Sequence, residues 1–139
     1  MDVEVNAYGV LLAALSSMVV GSIWYAKPVF GKTWMKLAKI DEKKAAKGAS
    51  KAITVTFLLS IVTAYVLAHV AYLSNQYFDN TFMQDTLTTA FWMWLGFVAA
   101  RIATHDIFEM RRKKLTAMTL GNEFVTIMVM GLMIGFVGV

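Results

Sequence analysis

Apolar positions in this chain fall into four runs, at about residues 5–26, 52–73, 86–108 and 115–139, separated by short polar stretches. Each run is near the ~20 residues an α-helix needs to cross the hydrocarbon core of a bilayer. The pattern predicts an all-α membrane protein, with four transmembrane helices in a single polytopic domain over residues 1–139. Between the first two runs, Phe30, Trp34, Leu37 and Ala38 recur at helical spacing, with Lys32, Lys36, Lys39 and Lys43 on the other side. That predicts a short amphipathic interfacial helix at about residues 30–47, lying in the headgroup plane with its lysines toward anionic lipid.

Charge fixes an expected orientation. Residues 27–51 hold eight lysines, and Arg111, Arg112, Lys113 and Lys114 separate the last two runs. The N-terminus, the 74–85 connector and the C-terminus hold no Lys or Arg. The positive-inside rule therefore places both basic loops in the cytoplasm and both termini outside. With basic residues gathered in loops between membrane spans, the net charge of +4 reports topology and gives no expectation of nucleic-acid binding. Cysteine is absent, which excludes disulfides, thiolate chemistry and cysteine metal sites. The first run lacks the positive lead-in of a secretory signal and is expected to be a retained helix.

The third run is the unusual one, because it carries Arg101, His105, Asp106 and Glu109. Charges at membrane depth are costly, are usually paired, and mark the first place to look for function. At 1.5 Å per residue, Arg101 lies about 15 Å from Arg111 along its helix. Glu123, on the fourth helix, lies about 13–14 Å from Lys114. Matching depth on antiparallel neighbours predicts an Arg101–Glu123 ion pair. Around it, Arg101, Thr104, His105 and Glu109 share one helix face, and Thr116, Thr119, Asn122, Glu123 and Thr126 share another. Asp106 points away from Arg101, and Lys27 is its expected partner, the alternative being water.

Small residues mark expected helix contacts: Gly9, Ala13, Ser17 and Gly21 in the first helix, and Gly121, Gly131 and Gly135 in the fourth. These rows suit packing within the chain, a homo-oligomer, or contact with other membrane subunits. The main expectation is a structural or accessory membrane subunit, built around the buried pair. The alternative is a small proton-linked transporter or channel using Arg101, His105 and Glu123. No nucleophile–base–orienter set or ligand cluster is legible, so no catalysis, metal or cofactor is expected.

Gly21, Trp24, Tyr25 and Pro28, followed by Phe30, Gly31 and Trp34, form a GxxWY element and an FGxxW element. With Trp94-Leu95-Gly96-Phe97 and Asn122, the chain resembles the bacterial and archaeal membrane family catalogued as domain of unknown function 1761. The resemblance covers essentially the whole chain. It implies four transmembrane helices in a cytoplasmic membrane and no assigned activity.

Overall fold

The computed structural model describes residues 3–139. Helix α1, Ala7–Trp24, starts where the Asn6 side chain accepts the Tyr8 amide, satisfying an N–H that the first helical turn leaves free. A π-helical turn, Lys27–Gly31, leads into the short α2, Lys32–Ala38. Helix α3 then runs for 34 residues, Glu42–Asn75. Helix α4, Phe82–Met93, continues through a second π-helical turn, Trp94–Ala99, into α5, Ala100–Phe108. Helix α6 is Lys113–Val137. Among the described residues, four stretches are long and apolar enough to cross a membrane: α1, α3, the α4–α5 unit and α6. This is a multi-pass membrane protein with a short extra helix after its first span.

That extra helix is shorter than its sequence pattern predicts. It ends at Ala38, where Lys39 takes a left-handed conformation (φ 54°). Residues 42–47, expected on the same surface helix, instead belong to α3. The cause is Asp41, whose carboxylate accepts the Lys43 and Lys44 amides while Glu42 sits in the first turn. A cap and an acidic first turn are the strongest local start signals a helix can have. Lysines 43–51 therefore extend the second span beyond its apolar stretch.

The four spans pack as a ring: α1 lies against α3 and α6, and α4 lies against the same two helices. The α3–α6 diagonal touches only lightly. The core lies in the half of the bundle nearer the termini, among Val10, Ala64, Leu67, Ala90, Met130 and Ile134. It is built on small residues, as expected where lipid tails supply no hydrophobic drive and close backbone approach must replace it. Gly9, Ala13 and Ser17 of α1 and Ser60, Ala64 and Ala68 of α3 are all buried. A Cβ on Gly131 would lie 3.1 Å from Ala90 Cβ, and one on Gly135 would lie 3.1 Å from Met83 Cα. The glycine face of α6 is therefore occupied by α4 of the same chain. Outside, Leu11, Leu15, Val19 and Ile23 repeat along an exposed stripe of α1, the apolar surface a bilayer would cover.

A buried carboxylate ties each end of the α4–α5 unit. At the end near the termini, Asp85 is 2% exposed and accepts from Asn75 Nδ2 at 2.7 Å and Asn80 Nδ2 at 3.0 Å. Thr81 and Gln84 cap each other's backbone beside it, the reciprocal capping box that starts α4. At the lysine-rich end, the Arg111 amide donates to the Asp106 carbonyl at 2.9 Å and the Met110 amide to that of Ile107 at 3.1 Å. That is the Schellman closure, with Met110 (φ 52°) in the left-handed position that glycine usually fills.

Candidate functional site

The end of α1 is a folded corner made by the GxxWY and FGxxW residues. Trp24 lies over Gly121 of α6, where a Cβ would meet the indole at 3.1 Å. Its ring packs on Phe30 with centroids 4.7 Å apart, and Tyr25 packs on Trp34 at 5.0 Å and 54°. Gly31 makes the corner possible, since a Cβ there would stand 2.3 Å from the Tyr25 carbonyl oxygen. The sequence elements thus fold α2 back so that Trp34 meets the end of α1.

Behind this corner is a cavity of about 720 Å³ between α1, α3 and α6. Gly21, Tyr25 and Trp34 form one wall, and Asn122, Glu123 and Thr126 of α6 form another. The third wall is α3, which buries no residue fully before Ser60 and so stands off from α6. Thr56, Ser60 and Thr63 face the cavity, while Ile53 and Leu59 at its edge are largely exposed. The cavity therefore opens sideways through the α3 wall.

Its polar groups are incompletely used. Asn122 is 8% exposed, yet its Oδ1 has no hydrogen-bond partner among the described residues, and neither does Thr126 Oγ1. Buried acceptors are normally satisfied, so each exception calls for an explanation. Glu123 is half-buried and forms no salt bridge among the described residues. The lining contains no Lys, Arg or His. Glu123 is thus a single carboxylate in a mostly apolar chamber, with amide and hydroxyl acceptors beside it.

The expected Arg101–Glu123 ion pair is not formed. Arg101 is exposed, as are Thr104, His105 and Glu109, and Thr104 donates within its own helix to the Ala100 carbonyl. The reason lies one turn earlier, in the π-helical turn Trp94–Ala99. Each such turn inserts a residue and rotates everything after it by about 100° relative to a regular helix. The inward positions are therefore Ala99, the buried last residue of the π-helical turn, and Asp106 of α5, which bonds to α6. Arg101 lies two residues from Ala99, about 200° around the helix. Depth was matched, but rotation was not.

The expected Asp106–Lys27 pair is also absent. Asp106 is 6% exposed, accepts Thr116 Oγ1 at 2.5 Å and pairs with Arg111 at 3.2 Å. This is the buried salt bridge of the membrane domain. Lys27 pairs instead with Glu42, across the corner between α1 and α3. Thr119 donates to the Leu115 carbonyl of its own helix. Of the proposed polar seam, α6 keeps Asn122, Glu123 and Thr126 together, and α5 contributes none of its outward-facing members. On α3 the sequence marks Ser60 only as a small packing residue with Ala64 and Ala68, although Thr56, Ser60 and Thr63 fall at i, i+4 and i+7, a polar stripe on one helix face.

Neither curated proteins nor solved structures give a match to this chain. A family model does: the one described as "Protein of unknown function (DUF1761)" matches residues 8–135. That range includes the α1 corner, both π-helical turns and the whole cavity lining. The chain belongs to the DUF1761 family.

Proposed function

We propose that this protein is a small membrane carrier whose solute site is the α1–α3–α6 cavity, with Glu123 exchanging a proton for the solute. One observation carries the reading: an unpaired carboxylate shares its chamber with the unpartnered Asn122 Oδ1 and Thr126 Oγ1. A carboxylate kept for packing alone would be expected to have a charged partner, because an isolated charge at the centre of a span costs about 2.5–3.5 kcal/mol on insertion scales. The cavity also falls within the ~300–1,000 Å³ typical of small-molecule sites. With the basic loops in the cytoplasm, the chamber faces the inner leaflet. Reporter fusions at residues 45 and 113 should then read cytoplasmic, and fusions at residue 80 and the C-terminus external. An external signal at 45 reverses the orientation.

The site itself is tested with dicyclohexylcarbodiimide, an apolar reagent that enters bilayers and couples covalently to carboxyl groups within reach. In membranes, Glu123 should be modified well ahead of Asp85 and Asp106, both enclosed and hydrogen-bonded. Peptide mass spectrometry reads the site, and Glu123→Gln should remove the adduct. Modification of Asp106 with Glu123 untouched refutes the cavity assignment.

A second reading, assembly with other membrane chains, is favoured by Arg101. It is exposed seven residues before the end of α5, between the exposed Phe97 and Phe108. A charge on a lipid-facing surface is stabilised when another chain covers it. This assembly would leave the cavity intact, so the two readings are compatible.

A further inference from the structure

We infer that the cavity takes organic cations, an ammonium-type charge on an apolar body, with Glu123 as counter-ion and the Tyr25–Trp34 pair as the aromatic wall. This rests on the carrier reading and deepens it by naming the solute class.

Three observations point the same way. First, the sign of the chamber is settled by its lining, where Glu123 is the one carboxylate and no Lys, Arg or His is present. Arg111, the basic residue that begins the turn before α6, has its guanidinium held by Asp106. Second, oxygens with unused lone pairs stand beside Glu123. Asn122 Oδ1 and Thr126 Oγ1 have no hydrogen-bond partner among the described residues, while Ser17 already donates its hydroxyl proton to the Ala14 carbonyl and keeps its lone pairs free. A cation is drawn to oxygen lone pairs with or without N–H groups of its own, whereas an anion would meet the Glu123 carboxylate beside them. Third, two rings border the same space at 54° to each other. Aromatic faces attract cations through their quadrupole, and most strongly where water is excluded. Met18, Ile127 and Met130 add an apolar, flexible surface to the lining, suited to a hydrophobic body of loosely defined shape. The sideways opening past Ile53 and Leu59 gives such a molecule a route from the bilayer.

The lysines of residues 27–51 would argue for an anion if they entered the site. None lines the cavity, and Lys27, the one nearest the end of α1, is paired with Glu42.

The experiment uses the full chain in detergent or nanodiscs and measures protection of Glu123 from the carbodiimide. Three probes of similar shape are compared: phenyltrimethylammonium, its neutral carbon isostere tert-butylbenzene, and benzenesulfonate. Protection by the ammonium at concentrations at least tenfold below the other two supports the assignment. Trp34→Leu should weaken that protection by roughly three- to thirty-fold, the range expected for removing one cation–π partner. Tyr25→Leu should act likewise, and Trp92→Leu, exposed on the outside of α4, should have no effect. Equal protection by all three probes, protection by the sulfonate alone, or none by any overturns the cation inference while Glu123 labelling stands. Absence of labelling without any probe is a different result, and it removes the carrier reading itself.

Discussion

Replacing Gly31 with alanine should destabilise the protein by about 3 kcal/mol, at the upper end of what overpacking usually costs. The added Cβ would sit 2.3 Å from the Tyr25 carbonyl oxygen and 2.9 Å from the Ala26 carbonyl carbon. These are backbone atoms of the two residues between α1 and the π-helical turn, so no side-chain rotation relieves the clash. The turn must open, and the Gly31 amide then loses its bond to the Ala26 carbonyl, 3.0 Å in the intact corner. Because α2 follows immediately, Trp34 would leave Tyr25 and the cavity would lose its aromatic wall. Gly48→Ala is the control. It lies in the exposed first turns of α3 with nothing within 4 Å of a new Cβ, so it should stabilise by about 0.5–1 kcal/mol through backbone entropy alone. Thermal unfolding in detergent measures both. A Gly31→Ala protein as stable as the parent would mean that the corner is not close-packed as described.

The four spans are legible in the sequence because hydropathy over about twenty residues depends on composition, which survives any rotation of a helix about its axis. The start of α3 is legible too, though from a different signal: Asp41-Glu42 is a cap followed by an acidic first turn, and it overrides the amphipathic pattern that runs through residues 43–47. The site was harder to read. Arg101 and Glu123 were paired on depth alone, which leaves helix rotation open, and nothing in WLGFVA announces a π-helical turn. One inserted residue leaves the depth of a side chain nearly unchanged and turns it by about 100°. Depth arguments therefore survive and facing arguments fail. Glu123, Asn122 and Thr126 were found because they lie on α6, which is regular from Lys113 to Val137. Tyr25 and Trp34 were visible as motif residues, but their joining depends on the backbone approach at Gly31, a tertiary fact with no periodic signature.

These rotations make opposite demands on the Asp106–Thr116 hydrogen bond and the Arg101–Glu123 candidate ion pair, and double-mutant cycles separate them. Asp106 and Thr116 touch at 2.5 Å across the α5–α6 turn, and hydrogen bonds to a charged group are worth about 1.5–3 kcal/mol. Asp106→Ala with Thr116→Val should therefore show a coupling of that order. Asp106→Ala alone should cost about 3 kcal/mol, since Arg111 also loses its partner; the loss is held to the low end of the buried-pair range because Arg111 is about a third exposed and can turn to water. Arg101→Leu with Glu123→Leu should instead be additive within about 0.3–0.5 kcal/mol, as for residues that do not touch. Glu123→Leu should leave stability unchanged or raise it, because it removes a carboxylate that no group in the bundle compensates. A residue whose loss spares the fold but abolishes binding of phenyltrimethylammonium, read as the upward shift in thermal unfolding that the ammonium gives the parent protein, is one retained for binding, the trade between stability and function expected at a working site. Arg101→Leu then reports on assembly: it should lower the apparent mass of the detergent-solubilised protein if a second chain covers that surface, and leave it unchanged if the side chain meets only lipid. Coupling above about 1 kcal/mol between Arg101 and Glu123 would restore the structural ion pair and remove the unpaired carboxylate on which the carrier reading stands.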